Sequence, residues 1–160
     1  MSGSPNASKS AEHYTYENRL TWTEKRRAVV RADELTPIVV APPHEFGGED
    51  GLWNPEQLLV ASASSCLLST FASIAERARL PFTGFECRAV GHLTQVADGK
   101  YAITLVELFP VVDVANPELA EKARKLLEKA EERCLIANSL KYETKLHPVV
   151  RAPSPPALAP

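Results

Sequence analysis

The segment NPEQLLVASASSCLLSTFASIAER, residues 54–77, decides how the rest of the chain is read. Asn54 offers a side-chain oxygen to free amides, Pro55 suits a first helical turn, Glu56 suits the positive end of the helix dipole, and Gln57 fits a capping box. A long helix is therefore predicted from here to about Arg79. Its first half, Leu58–Leu68, carries small residues on every side (Ala61, Ser62, Ala63, Ser64, Ser65) and no charged face. A helix without a wetted face is buried. In a chain of 160 residues the three strands expected before it supply too little cover, so a second subunit is the natural partner surface. A membrane is the other home for such a helix. Glu76, Arg77 and Arg79 interrupt it, and no hydrophobic run approaches the ~18 residues a bilayer needs, so no membrane association is expected.

Upstream, Tyr14, Tyr16, Leu20 and Trp22 alternate with polar neighbours, the period-two pattern of a half-buried strand over Tyr14–Trp22. Residues 27–32 and 37–41 read as two more strands. Pro42-Pro43 and Gly47-Gly48 then break the pattern, making 44–53 a loop in which His44 and Trp53 are placed to line a pocket, although a loop histidine and an aromatic anchor are the commoner explanation. Downstream, residues 82–96 and 100–114 read as long strands joined by a two-residue hairpin loop at Asp98-Gly99. Cys87 shares a strand face with Phe85, Ala89 and Leu93 and reads as a small buried hydrophobe.

Asn116-Pro117-Glu118 repeats the helix-start tripeptide, and Leu119, Ala123, Leu126, Leu127 and Ala130 follow the helical period. One further turn of that face places Cys134 at the end of this second helix. Leu135-Ile136 and Asn138-Ser139 then lead to a last strand at about 142–150. Strands then helix occur twice, suggesting two half-units of similar plan. The fold class is α+β, with flexible tails at 1–11 and 152–160 and a single domain over 12–151.

Composition narrows the functional classes. Eighteen Lys and Arg against twenty Asp and Glu give a formal net charge of −2, and the basic residues are dispersed, which argues against nucleic acid. The charged stretch 121–133 reads as a solvated helix face, with Glu121 and Lys125 one turn apart. The first residues lack the apolar centre of a secretory signal, so a cytoplasmic location is expected. Four histidines without metal spacing and three widely separated cysteines exclude a zinc motif and a disulfide scaffold, and no cofactor is expected. The cysteines are then either inert packing or reactive thiols.

Two stretches decide between these, EFGGEDGLWNPEQLLVASASSCLLSTF (45–71) and KAEERCLIANSL (129–140). Together they resemble the OsmC/Ohr family (osmotically inducible protein C and organic hydroperoxide resistance protein), over nearly the whole folded region. Members carry a Pro-Glu pair ten residues before a first helical Cys, matched by Pro55-Glu56 and Cys66. Near the end of the later helix they carry a second Cys, followed by an Ile and an Asn-Ser-like segment, matched by Cys134-Leu135-Ile136-Ala137-Asn138-Ser139.

The resemblance implies an intertwined homodimer in which antiparallel sheets wrap around a pair of long central helices, with active sites at the subunit interface. It further implies a peroxidase of the oxidative stress response, acting on organic hydroperoxides and more weakly on hydrogen peroxide. Cys66 is then the peroxidatic thiol and Cys134 the resolving one. A dithiol reductant, such as a lipoyl protein or a small thiol, reopens the redox-active disulfide. In the family an Arg from the N-terminal strands activates the thiolate and is held by the Glu matching Glu56. Lys25, Arg26 and Arg27 stand where that Arg is expected, and Arg27 is the residue expected to fill the role. The triplet reads equally as a solvated turn, just as Glu56 reads equally as a helix-dipole partner. Two other readings stay open: a non-catalytic dimer binding an apolar small molecule, and a disulfide redox switch.

Overall fold

The computed structural model describes residues 13–153, so the expected N-terminal tail and residues 154–160 lie outside it. The described residues divide into two compact units, one ending at Leu52 and one starting at Trp53.

The first unit is a three-stranded antiparallel sheet of β1 (Arg19–Glu24), β2 (Arg27–Arg31) and β3 (Ile38–Val40), in that order. The alternation that predicted a strand from Tyr14 starts too early: strand pairing begins at Arg19. Tyr16 is 94% and Trp22 68% exposed, so among the described residues the apolar pattern does not form the half-buried face it predicts. Of the basic triplet, Lys25 and Arg26 form the turn between β1 and β2, with Lys25 at φ 47°, while Arg27 opens β2. In the following loop Gly47 has φ 75°, and a Cβ at Gly48 would fall 1.6 Å from the Pro42 carbonyl oxygen, so neither glycine admits a side chain there.

The second unit opens with α1 (Pro55–Arg77). Asn54 caps it, its Oδ1 accepting from the Gln57 amide at 2.7 Å, and Pro55 occupies the first turn. The helix stops two residues short of Arg79, which turns into the left-handed region at φ 51° while the Leu80 amide returns to the Ala75 carbonyl at 2.9 Å. By length and composition α1 does qualify as a bilayer span, which corrects the expectation that no apolar run is long enough. Serine and alanine dilute the run to the eye while leaving only Glu56, Glu76 and Arg77 charged. In this fold Ala63, Leu67, Phe71, Ile74 and Ala75 form a stripe buried in the core, while Leu59 and Leu68 stay open.

That stripe packs against the second sheet. β4 (Phe82–Gln95) and β5 (Tyr101–Val114) form a long antiparallel hairpin. Its turn takes three residues, Ala97–Gly99, rather than two, with Asp98 and Gly99 both at positive φ and the Val96 amide donating to the Lys100 carbonyl at 2.7 Å. Asp and Gly tolerate that conformation, which is why the pair marked the turn. Phe85, Cys87 and Ala89 pack on the core as expected, whereas Leu93, further along the same strand and beyond a register shift at His92, is 39% exposed.

A short 3-10 turn at Pro117–Leu119 leads into α2 (Ala120–Glu132), then α3 (Leu135–Ser139). The last strand is two pieces, β6 (Glu143–Leu146) and β7 (Val149–Arg151), both parallel to β5. Pro148 has no N–H for a ladder, so one continuous strand is not available. The helical crossover through α2 and α3 supplies the length that a parallel return needs. The α+β class holds, with a mixed second sheet.

Gly91 on β4 is where α1 and the sheet come closest: an added Cβ would lie 2.5 Å from Val60 Cγ2. Gly91→Ala is expected to cost about 1–3 kcal/mol through this overlap, read as a lowered urea midpoint with an unchanged slope.

Candidate functional site

Cys66 stands in the middle of α1, partly exposed. Cys134 is fully buried and lies just beyond α2 rather than on it, a correction to the expected placement of both cysteines on helices. Arg133 ends α2, and Cys134 adopts an extended conformation (φ −65°, ψ 114°) as the N-cap of α3, its carbonyl accepting from the Asn138 amide at 3.0 Å. The break carries no Gly or Pro to announce it. Its effect is to turn the Cys134 thiol and the first amides of α3 onto Cys66.

The Cys66 thiol is subject to opposing influences. Burial pushes its thiol up, but the Ile136 amide, the Cys134 thiol, the Thr70 hydroxyl and the Leu135 amide together pull it below the ordinary thiol range. Cys134 moves the opposite way: burial raises it, a hydrogen bond from the Ala137 amide opposes that, and donation to Cys66 raises it further. Cys66, partly exposed, is thus shifted toward the thiolate, while Cys134, buried, is shifted away from it. Such a pair is suited to nucleophilic attack followed by disulfide formation. Cys87, raised by burial on β4, stands outside this cluster. Neither Thr70 nor the α3 amides were singled out from the sequence. For Thr70 a usable signal exists, since it follows Cys66 by four residues on one helix and so shares its face.

Glu56, in the same unit as the two thiols, is not bonded to either among the described residues. Glu56 opens α1 ten residues before Cys66, about 15 Å along the helix axis, too far for direct contact within one helix. Its Oε2 is buried without a hydrogen-bond partner among the described residues. An oxygen in that position calls for a donor. In the first unit Arg27 is engaged with carboxylates: Nε donates to Glu49 Oε2 at 2.7 Å, Nη2 pairs with Glu49 Oε1, and Nη1 reaches Glu24 Oε1 at 3.3 Å. The hydrogen bond to Glu49, and then its charge, hold the Arg27 guanidinium firmly protonated and the Glu49 carboxyl low. Arg26 donates to the Phe46 carbonyl, and His44 lies 3.3 Å from Asp50. Among the described residues no group of three His, Cys, Asp or Glu is placed to hold a metal ion.

A family model described as OsmC-like protein matches residues 47–148, spanning both cysteines and Glu56. YmaD of Bacillus subtilis, an uncharacterized protein, is 26% identical over 141 residues, 85% of this chain and 92% of its own length. Among solved structures, an OsmC-like protein of unknown function from Vibrio cholerae aligns with a TM-score of 0.78 at 27% identity, covering 86% of this chain and all of that one. An organic hydroperoxide resistance protein from Elizabethkingia anophelis aligns with a TM-score of 0.69 at 24% identity, covering 89% of this chain and all of that one. With the matched segment covering most of the described residues, the chain belongs to the OsmC-like protein family.

Proposed function

We propose that this protein is a thiol peroxidase that reduces organic hydroperoxides through Cys66 and Cys134. The observation that carries the reading is an opposed pair of thiols, a partly exposed Cys66 shifted below the ordinary thiol range and a buried Cys134 shifted above it. The Cys66 thiolate attacks the outer oxygen of the hydroperoxide, the O–O bond breaks, and the leaving alkoxide takes a proton to depart as an alcohol. Cys66 is left as a sulfenic acid. The Cys134 sulfur attacks it, forming the disulfide and expelling water. A dithiol reductant, such as a lipoyl protein or a small thiol, supplies two electrons and two protons to restore both thiols. Leu135, whose amide reaches the Cys66 sulfur, leaves its side chain 75% exposed, an apolar neighbour that favours an alkyl hydroperoxide over hydrogen peroxide.

The working unit in this reading is a cytoplasmic homodimer. The open side of α1, with Leu59 and Leu68 exposed, is the surface the second copy covers. Since Glu56 and Cys66 are separated by most of three helical turns, a site that uses both draws Glu56 from the partner helix. Arg27, in the role of thiolate activator, has to leave Glu49 and Glu24, which hold it within the first unit. That requirement favours a second reading, a non-catalytic dimer that binds an apolar small molecule with both thiols reduced.

A free-thiol count with intact mass, before and after one equivalent of cumene hydroperoxide, separates the two. Rapid loss of two thiols and a mass decrease of two hydrogens support the peroxidase. Unchanged thiols overturn it and leave the ligand-binding dimer in first place.

A further inference from the structure

We infer that Asn138 is a positioning residue for the resolving thiol: it bonds both the last residue of α2 and Cys134 itself, and so fixes the angle at which that cysteine is presented. The inference deepens the peroxidase reading and rests on Cys134 being the thiol that closes the disulfide. A helix end leaves its last carbonyls without partners, and α2 ends at Glu132 with no Gly or Pro to shape the exit. Two donors take up that end. The Cys134 amide returns to the Glu131 carbonyl at 3.1 Å, and Asn138, six residues beyond Glu132, donates its side-chain Nδ2 to the Glu132 carbonyl at 3.1 Å. The Asn138 backbone amide donates in turn to the Cys134 carbonyl at 3.0 Å. One residue of α3 thus ties down the chain just before Cys134 and at Cys134.

Packing does not fix this angle unaided. Cys134 is fully buried, but Arg133 and Leu135 are both exposed, Leu135 by 75%, so neither chain neighbour anchors the extended residue between them. Ser139 shows the ordinary habit of a helical hydroxyl, its Oγ donating to the Leu135 carbonyl at 2.7 Å, four residues back and inside α3. Asn138, by contrast, reaches out of α3 to α2. In the resolving step the Cys134 sulfur attacks the sulfenic sulfur of Cys66, the S–S bond forms, the S–O bond breaks, and the departing hydroxide takes the Cys134 proton to leave as water. Such a closure proceeds at a rate set by how often the two sulfurs are aligned. A loosened angle at Cys134 therefore slows this step and spares the attack on peroxide, for which the Cys134 sulfur is not needed.

The test follows wild type, Asn138→Asp, Asn138→Ala and Ser139→Ala, as reduced full chains, after one equivalent of cumene hydroperoxide. Samples quenched at intervals are resolved by intact mass into sulfenic acid, trapped with a dione reagent, and disulfide. Aspartate keeps the size of asparagine and loses the donor, and alanine removes the side chain. Both Asn138 variants are expected to form sulfenic acid at the wild-type rate and to close the disulfide about two- to tenfold more slowly, the range that the net worth of one hydrogen bond allows. Ser139→Ala, which loses a bond internal to α3, is expected to close as fast as wild type. Closure at the wild-type rate in either Asn138 variant, a matching delay in Ser139→Ala, or an equal slowing of both phases overturns the assignment. Diamide, which takes two electrons and two protons from a dithiol, closes the same disulfide without peroxide and keeps the two ideas apart. A wild type that ignores peroxide, while closure by diamide still slows in the Asn138 variants, sinks the peroxidase and leaves Asn138 standing. Peroxide turnover with unslowed closure does the reverse.

Discussion

Cys66→Ser is expected to lower peroxide consumption to the rate of buffer alone, while Cys134→Ser consumes one equivalent per chain and then stops. The difference follows from the two environments. Serine at 66 keeps the hydrogen bonds but not the nucleophile, because a hydroxyl does not ionise where a thiol with four donors does. Serine at 134 leaves Cys66 and three of its four donors, Ile136, Thr70 and Leu135, in place, so the first attack proceeds. It removes the sulfur that would displace water, so the sulfenic acid accumulates, visible as the gain of one oxygen in intact mass and as reactivity toward a dione reagent. The initial rate should rise with pH and level off below the pH at which an ordinary thiol, near pKa ~8.5, would level off, because the folded-state Cys66 titrates lower. Cys87→Ala should leave both phases unchanged, as burial raises that thiol on β4, away from the pair. Full consumption by Cys66→Ser, or repeated turnover by Cys134→Ser with dithiol present, would refute the assigned roles.

How much of this arrangement could be read before the structure depends on whether the signal was local. Asn54-Pro55 and Asn116-Pro117 fixed where two helical segments begin, because capping chemistry needs only its own few residues, and both asparagine side chains do accept from amides in the first turn. Asp98-Gly99 located the hairpin for the same reason, though not its loop length, which depends on how the flanking ladder closes. Non-local facts were harder. The apolar alternation around Tyr14–Trp22 predicts a covered face, yet Tyr16 and Trp22 stay exposed among the described residues. The final strand was read as one piece although Pro148 was in plain view, since length alone favoured a single strand.

Within the site, the spacing from Pro55-Glu56 to Cys66 and the segment after Cys134 were legible as a family pattern, and the pairing of the two thiols is what the fold adds. The kink that makes that pairing work was not legible. Periodicity carried the α2 face onward to Cys134, whereas the helix ends at Arg133 and the chain re-forms as α3 with its amides turned toward Cys66. A continuous helix would have pointed those amides along its own axis and left the thiolate without them.

Phe71→Ala should be the most destabilising single truncation in the second unit, at about 3–5 kcal/mol, measured as the shift in urea midpoint at constant slope. The ring has no exposure, and it joins three elements. It extends from α1 to lie 5.2 Å from the Phe82 ring and 5.7 Å from the Phe85 ring, both on β4, in tilted contacts that add to the area buried. The β5 residues Leu108 and Val112 belong to the same buried cluster, so the void left by alanine has rigid walls and little freedom to collapse. Against a total stability of roughly 5–15 kcal/mol for a domain, that loss takes a large share of what holds the fold. Phe71→Leu, which keeps most of the volume, should cost clearly less; equal losses in the two variants would mean that the ring contacts, and not the filled space, carry the energy. Because Phe71 sits next to Thr70 and anchors the turn of α1 that follows Cys66, the same truncation should also blunt the pH response of Cys66 alkylation in the molecules that remain folded. A destabilised chain whose Cys66 still titrates as in wild type would instead show that the sulfur's donors are positioned by α3 and not by the seating of α1 on the sheet.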